Sequence, residues 1–330
     1  MSTKFASHSY IFSPNMTIVS NDPTWWPTIN ADRFSSYFVV AAFAGVTYDW
    51  ALTFGQEVEL IWMQRWSLMT VLYLSVRYLG IISAAIAILS GVPTISLTDT
   101  VSRIIYVVNN WMIVLVFAML WVIIITRLHA MYQQSRKILI FLIVTFLVVN
   151  IFDGVVGVIT MMHTSGEELI LSETYQCQIN NAEDTLLLYL ITWILATVWE
   201  VLALCLAAWI AVKHSCELRR HSAGGIIGDC FTVLMKTHLV YFASFVAVSC
   251  FELTVLLSPT ISLDQNSLEA QALDGLTQIL TVVQSFVLGP RLILGVREYH
   301  AKLVADSDAA SGMTSIAFQE RMHVSTSSSV

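Results

Sequence analysis

Seven apolar stretches, at 37–54, 67–89, 107–126, 138–160, 186–212, 233–257 and 275–295, decide what this chain can fold into. They are between 18 and 27 residues long. A helix rises about 1.5 Å per residue, so about 20 residues cover the ~30 Å hydrocarbon core of a bilayer. A soluble fold has no use for seven such runs. Composition points the same way: 12% of residues are charged, where soluble domains carry about 25%. The spans and their loops use nearly all 330 residues and leave no room for a second large domain. The expected fold is all-α, a polytopic bundle of seven transmembrane helices.

Lysine and arginine in the loops set the orientation. With the N-terminus outside, the inner segments carry Arg65, Arg127, Arg136, Lys137, Lys213, Arg219, Arg220, Arg291, Arg297, Lys302 and Arg321, eleven in all. The outer segments carry Lys4, Arg33 and Arg103, which is three. The outer loops 161–185 and 258–274 contain neither residue type. The reading is N-terminus out and C-terminus cytosolic, in a plasma membrane rather than an internal one.

Residues 1–36 then form an outer tail, 37–296 the membrane domain, and 297–330 a Ser-rich cytosolic tail too polar to bury a core. The first 36 residues hold no apolar run, so no cleavable signal peptide is expected. Asn15-Met16-Thr17 is a glycosylation acceptor pattern on the outer side, which makes Asn15 a candidate glycan site. Cys205 and Cys250 lie in spans, and Cys216 and Cys230 face the cytosol. Cys177 is the single cysteine in an outer loop, so no disulfide framework is expected.

The segment Tyr48-Asp49-Trp50-Ala51-Leu52-Thr53-Phe54-Gly55-Gln56-Glu57-Val58-Glu59-Leu60-Ile61-Trp62, followed by Arg65-Trp66-Ser67 and Arg77-Tyr78, carries a recognisable pattern. It resembles the N-terminal signature of a large family of basidiomycete fungal membrane proteins defined by a domain of unknown function. Arg127-Leu128-His129-Ala130-Met131-Tyr132 and Leu288-Gly289-Pro290-Arg291 resemble that family's segments after helix 3 and at helix 7. The resemblance implies a seven-helix, receptor-like membrane protein and supplies no activity.

A charge at mid-bilayer costs about 2.5–3.5 kcal/mol on insertion scales, so each one needs a reason. Arg77 lies about 15 Å from the inner end of its span and Glu200 about 18 Å. Asp153 and Glu252 sit nearer the outside, and Asp49 nearer the inside. Arg77 is the lone central base, and an intramembrane ion pair with Asp49 or Asp153 is expected. Lys236 and Arg291 lie near the inner interface and need no partner. Asn109, Asn110, Asp153, Glu200, Glu252 and Gln278 are candidates to line a polar ligand cavity. The acidic outer loops above it favour a cationic or neutral small ligand. The small pairs Ala41 with Gly45, Gly154 near Gly157, and Ala203 with Ala207 suit helix packing.

Several chemistries lack their parts. Helix 7 has neither a lysine for a retinal Schiff base nor a histidine for a zinc-dependent seven-helix hydrolase. No metal site, cofactor site, phosphate loop or nucleic-acid patch is expected, and the chain reads as non-catalytic. The leading function is ligand sensing, coupled inward to a cytosolic signalling partner through Arg127, Arg136, Lys137, Arg219 and Arg220. Thr126-Arg127-Leu128 is not the usual acid-Arg-aromatic triplet of seven-helix receptors, and helix 7 has Gly289-Pro290-Arg291 in place of Asn-Pro-x-x-Tyr. The alternatives are a transporter or channel using the intramembrane carboxylates, and a non-catalytic organising protein.

Overall fold

The computed structural model describes residues 17–20, 22–92, 99–132, 135–163, 165–171, 174–180, 183–220, 226–258, 267–299, 301–302 and 304–305. Seven of its helices are long and apolar enough to cross a membrane. Helix α1 runs Trp26–Glu57 and continues as a π-turn over Val58–Trp62. Helices α2 to α6 are Leu68–Gly91, Asp99–Met131, Arg136–His163, Glu183–Arg220 and Ile226–Leu256. Helix α7 starts at Leu268, passes through a second π-turn at Gln284–Leu288, and runs on to Tyr299.

Local chemistry explains several of the ends. Asp22 Oδ1 accepts the Thr24 N–H at 2.9 Å, and Pro23 opens the short 3-10 turn that leads into α1. Ser67 accepts from the Thr70 N–H at 3.3 Å to start α2, and Ser267 accepts from Ala270 at 3.2 Å to start α7. At Val92 the backbone turns extended and α2 stops.

The helices outrun the apolar windows. Helix α1 begins at Trp26 rather than 37, and its helical path ends at Trp62 rather than 54. Helix α7 carries Arg297, which the sequence reading assigns to a cytosolic tail, into the folded domain. The cause is that a hydropathy window marks lipid contact, whereas backbone bonding continues past it into the interface.

An all-α reading also lacks one element. Strands β1 (Thr17–Ser20), β2 (Ser165–Leu171) and β3 (Thr174–Asn180) form a small sheet in the order β1-β2-β3. β1 runs parallel to β2, with Thr17 opposite Glu168, and β2 runs antiparallel to β3. The sheet joins the tail before α1 to the α4–α5 connection, so it marks one end of the bundle. The β3 segment Thr-Tyr-Gln-Cys-Gln-Ile-Asn alternates polar and apolar residues, a strand signal that the apolar spans overshadow.

The helices close a ring: each touches its sequence neighbours, and α1 packs on α7. Helix α3 also touches α5 and the π-turn of α7, which puts it inside the ring. The core gathers Tyr73 and Val76 of α2, Ile123 and Leu128 of α3, Leu142 of α4 and Ile293 of α7. Close approaches occur where glycine removes a side chain. A Cβ on Gly80 would meet the Phe286 ring, one on Gly275 the Phe38 ring, and one on Gly289 the Leu120 side chain. Ala203 and Ala207 are buried, whereas Gly45, Gly154 and Gly157 have nothing within 4 Å of a built Cβ. Those three glycines are therefore not the contact points that the small-residue pattern suggests.

Candidate functional site

Helices α1, α2 and α7 meet around a cluster of two carboxylates and two guanidiniums. Asp49 and Glu57 come from α1, eight residues and so about two turns apart on one face. Arg77 comes from α2, nine residues past Leu68, which is about 14 Å from that end. Arg291 comes from α7, just past its π-turn and Pro290. The cluster therefore sits in the half of the bundle away from the sheet.

Arg77 is only 2% exposed. Its Nη1 donates to Asp49 Oδ2 at 2.7 Å. Its Nη2 donates to the Asp49 carbonyl at 3.4 Å and to the Thr53 hydroxyl. Thr53 in turn donates to the Asp49 carbonyl at 2.7 Å. Arg77 Nε lies 3.3 Å from Glu57 Oε2, an ion pair whose geometry falls short of a hydrogen bond.

The other Asp49 oxygen, Oδ1, accepts Arg291 Nε at 2.6 Å. One aspartate thus bridges two arginines on two different helices. The Arg291 side chain is 45% exposed, so one of its faces is open while the rest of the cluster is closed. Glu57 is fully buried and well supplied with donors: Tyr78 OH at 2.9 Å and Trp62 Nε1 at 3.1 Å on Oε1, and Tyr73 OH at 3.2 Å on Oε2. Two negative and two positive groups give a cluster without net charge. That balance makes burial tolerable where a single charge is expensive.

The polar residues towards the sheet end are engaged differently. Ser83 Oγ donates to Asn109 Oδ1 at 3.0 Å and ties α2 to α3. Ser249 Oγ donates to Glu200 Oε2 at 2.6 Å and ties α6 to α5. Thr281 Oγ1 reaches Glu252 Oε2 at 3.5 Å across α7 and α6. Asp153, on α4, has a buried Oδ1 with no hydrogen-bond partner. Asn110 and Gln278 are half-buried. These groups form separate interhelical links rather than one shared constellation, and no group of three or more His, Cys, Asp or Glu able to hold a metal occurs among the described residues.

Of the two partners expected for Arg77, the structure places Asp49 on it, and no ion pair of Arg77 with Asp153 occurs among the described residues. Two members of the cluster escape sequence reading. Glu57 lies past the apolar window of helix 1, in a Glu-Val-Glu run that looks like a loop. Arg291 lies close enough to the interface to need no partner. Arg127, at the far end of α3, is half-buried with an unpartnered Nε, while Arg136 and Lys137 are exposed at the start of α4. Arg219 and Arg220 fall in the last turn of α5. Asn15 lies outside the described residues.

A different feature joins α3 to α5 and is silent in the sequence. Trp121 stacks on Trp199 with ring centroids 4.2 Å apart and planes 10° from parallel, and Phe146 of α4 meets the edge of Trp121. Both indole N–H groups are buried without a partner.

Residues 37–82 match a family described as "Family of unknown function (DUF6533)". The matched stretch contains Asp49, Thr53, Glu57, Tyr73, Arg77 and Tyr78, the α1 and α2 share of the cluster, and ends before Arg291. No curated protein matches the chain. The protein is an integral membrane protein with seven apolar spanning helices, in contact with a lipid bilayer.

Proposed function

We propose that the chain is a receptor-like, non-catalytic ligand sensor in which the Asp49 bridge between Arg77 and Arg291 holds one of two helix arrangements. The observation that carries this reading is that a single buried carboxylate is shared by guanidiniums from α2 and α7, one sealed and one half open. Helices α1 and α7, which supply Asp49 and Arg291, contain π-turns, at Val58–Trp62 and Gln284–Leu288. Such turns concentrate at functional sites, because they hold one residue more than the helix needs. A bridge of this kind is a bistable element: Arg291 can leave for solvent while Arg77 stays paired.

In this reading the N-terminus faces outside and the C-terminus the cytosol, in a plasma membrane. A cationic or neutral ligand enters from the sheet side, where Asn109, Asn110, Asp153, Glu200, Glu252 and Gln278 offer separate polar contacts on α3, α4, α5, α6 and α7. The far end, with Arg127, Arg136 and Lys137, meets a cytosolic signalling partner. The transporter alternative draws support from Asp153, whose unpartnered oxygen is the kind of group that picks up a proton or cation. Against it, Glu200 and Glu252 are each capped by a hydroxyl and form no continuous file.

Purified protein in nanodiscs, screened against small amines and neutral lipophilic compounds by thermal shift, tests the reading. A hit is then followed with fluorophores at positions 137 and 302. A ligand-dependent change in their separation, lost in Arg291→Gln, is the expected result. Ligand-dependent ion flux in proteoliposomes with no change in separation overturns the sensor in favour of the transporter.

A further inference from the structure

At the end away from the sheet, two arginines have no carboxylate paired to them among the described residues. Arg127 is four residues before the end of α3, and its buried Nε has no hydrogen-bond partner among the described residues. Arg297 stands on the last turns of α7, eight residues past Gly289, whose backbone packs on Leu120 of α3, itself seven residues before Arg127, so the two helices carry the arginines to the same end. Arg297 spends its donors on neutral oxygens. Its Nη1 bonds the Leu60 carbonyl at 2.8 Å, and its Nη2 bonds the Thr70 and Ser67 hydroxyls at 2.6 and 3.1 Å. The acids nearest in sequence are engaged or turned away: Glu57 belongs to the Arg77 cluster, Glu298 pairs with Lys302 at 2.8 Å, and Glu59 is exposed. Two like charges at one end, partly desolvated and without a carboxylate partner among the described residues, favour an anion there.

The surroundings say where that anion comes from. The connection from α1 to α2 at this same end exposes Trp62, Met63, Trp66 and Leu68, each more than half open. Tryptophans settle at the boundary between lipid and water, so the two guanidiniums lie near headgroup depth. Guanidinium forks match phosphate oxygens, and basic pockets between spanning helices at this depth take anionic headgroups.

We propose that Arg127 and Arg297 form a binding site for the phosphates of an anionic lipid headgroup of the phosphoinositide class, seated between α3 and α7. Arg297 is held in place by Leu60, Ser67 and Thr70, so it is preorganised. Arg127 brings its terminal Nη donors, while its Nε is sealed inside the protein and stays out of the headgroup's reach. Arg136 and Lys137, exposed at the start of α4, add long-range attraction without forming the site.

Native mass spectrometry of the delipidated full chain measures the site directly, with phosphatidylinositol bisphosphate and phosphatidylcholine as probes. Soluble inositol trisphosphate serves as a third arm. The bisphosphate lipid should bind in preference to phosphatidylcholine. Arg127→Gln should weaken it about tenfold, the loss expected for one charged hydrogen bond. Arg127→Lys, which keeps the charge and folds if Arg127→Gln does not, should fall between the two. Arg136→Gln with Lys137→Gln should change the affinity less than Arg127→Gln does. Wild-type affinity in both Arg127 variants overturns the site, and so does an equal or larger loss in the Arg136 and Lys137 variant, since either result means diffuse attraction. Binding of inositol trisphosphate at full strength, with no gain from the acyl chains, overturns the lipid as the ligand in favour of a soluble phosphate.

Discussion

Helix α4 and the α1–α2–α7 corner are held by opposite means. In the most apolar window of α4 only 11% of residues are buried, against 44% in α7. Ile140, Val144, Leu147, Val148, Ile151, Val155 and Met162 of α4 all lie exposed. It meets the bundle through Leu142, Val149, Val156 and the Phe146 edge on Trp121. The α1–α2–α7 corner is instead fixed by bonds between charged groups. In lipid, apolar surface gains nothing by turning inward, so packing and polar bonds decide which helices meet. Where α4 meets the bundle through apolar packing at Leu142, Phe146, Val149 and Val156, the corner rests on Asp49.

Asp49→Ala should have the largest effect. It removes the closest carboxylate of Arg77, which keeps only Glu57, and leaves Arg291 without its acceptor, at a cost of about 3–5 kcal/mol, read as a fall in melting temperature in detergent. Arg77→Ala should cost less in the Asp49→Ala background than alone. Strictly additive losses mean the two are not coupled, and the contrast between the corner and α4 then fails.

Gly80→Ala ranks next. The new methyl would meet the Phe286 ring, and overpacking of this kind costs about 1–3 kcal/mol. Adding Phe286→Leu should recover part of the loss. A harmless Gly80→Ala means the Phe286 ring yields freely, and the α7 π-turn is not a tight contact of α2.

Arg291→Gln should be milder than Arg77→Ala, near 1 kcal/mol, because a half-exposed ion pair is screened and its site keeps one arginine. A loss equal to that of Arg77→Ala makes both arginines structural and removes the half-open arm of the bridge. At the lipid face of α4, Ile151→Leu should stay within about 0.5 kcal/mol in the same assay. A large loss there points to a covered face, hence a second protein surface on α4.

How far the sequence carries depends on what each residue has to announce. Seven helices are legible because an apolar run has one use. Arg77 and Asp49 are legible as a problem, since charges inside apolar runs demand partners, though periodicity cannot say which helices meet. Glu57 is hidden because helix α1 runs on past its apolar window, which stops at 54, to end at Glu57 itself. Arg297 hides in what reads as a polar tail, yet it bonds Leu60 and Thr70. The stack of Trp121 on Trp199 is invisible for the opposite reason: in uniformly apolar helices no face stands out, so the pattern does not say which tryptophans turn inward.

The pairing of β1 with β2 has a consequence of parity. A strand before α1 and a strand after α4 can share backbone bonds only if the chain crosses the bilayer an even number of times between them. Four crossings satisfy this whichever way up the protein sits. Gaining or losing one span among α1 to α4 strands the two partners on opposite surfaces. Those few bonds thus act as a check digit on the count of the first four helices, drawn from backbone geometry and independent of any hydropathy threshold.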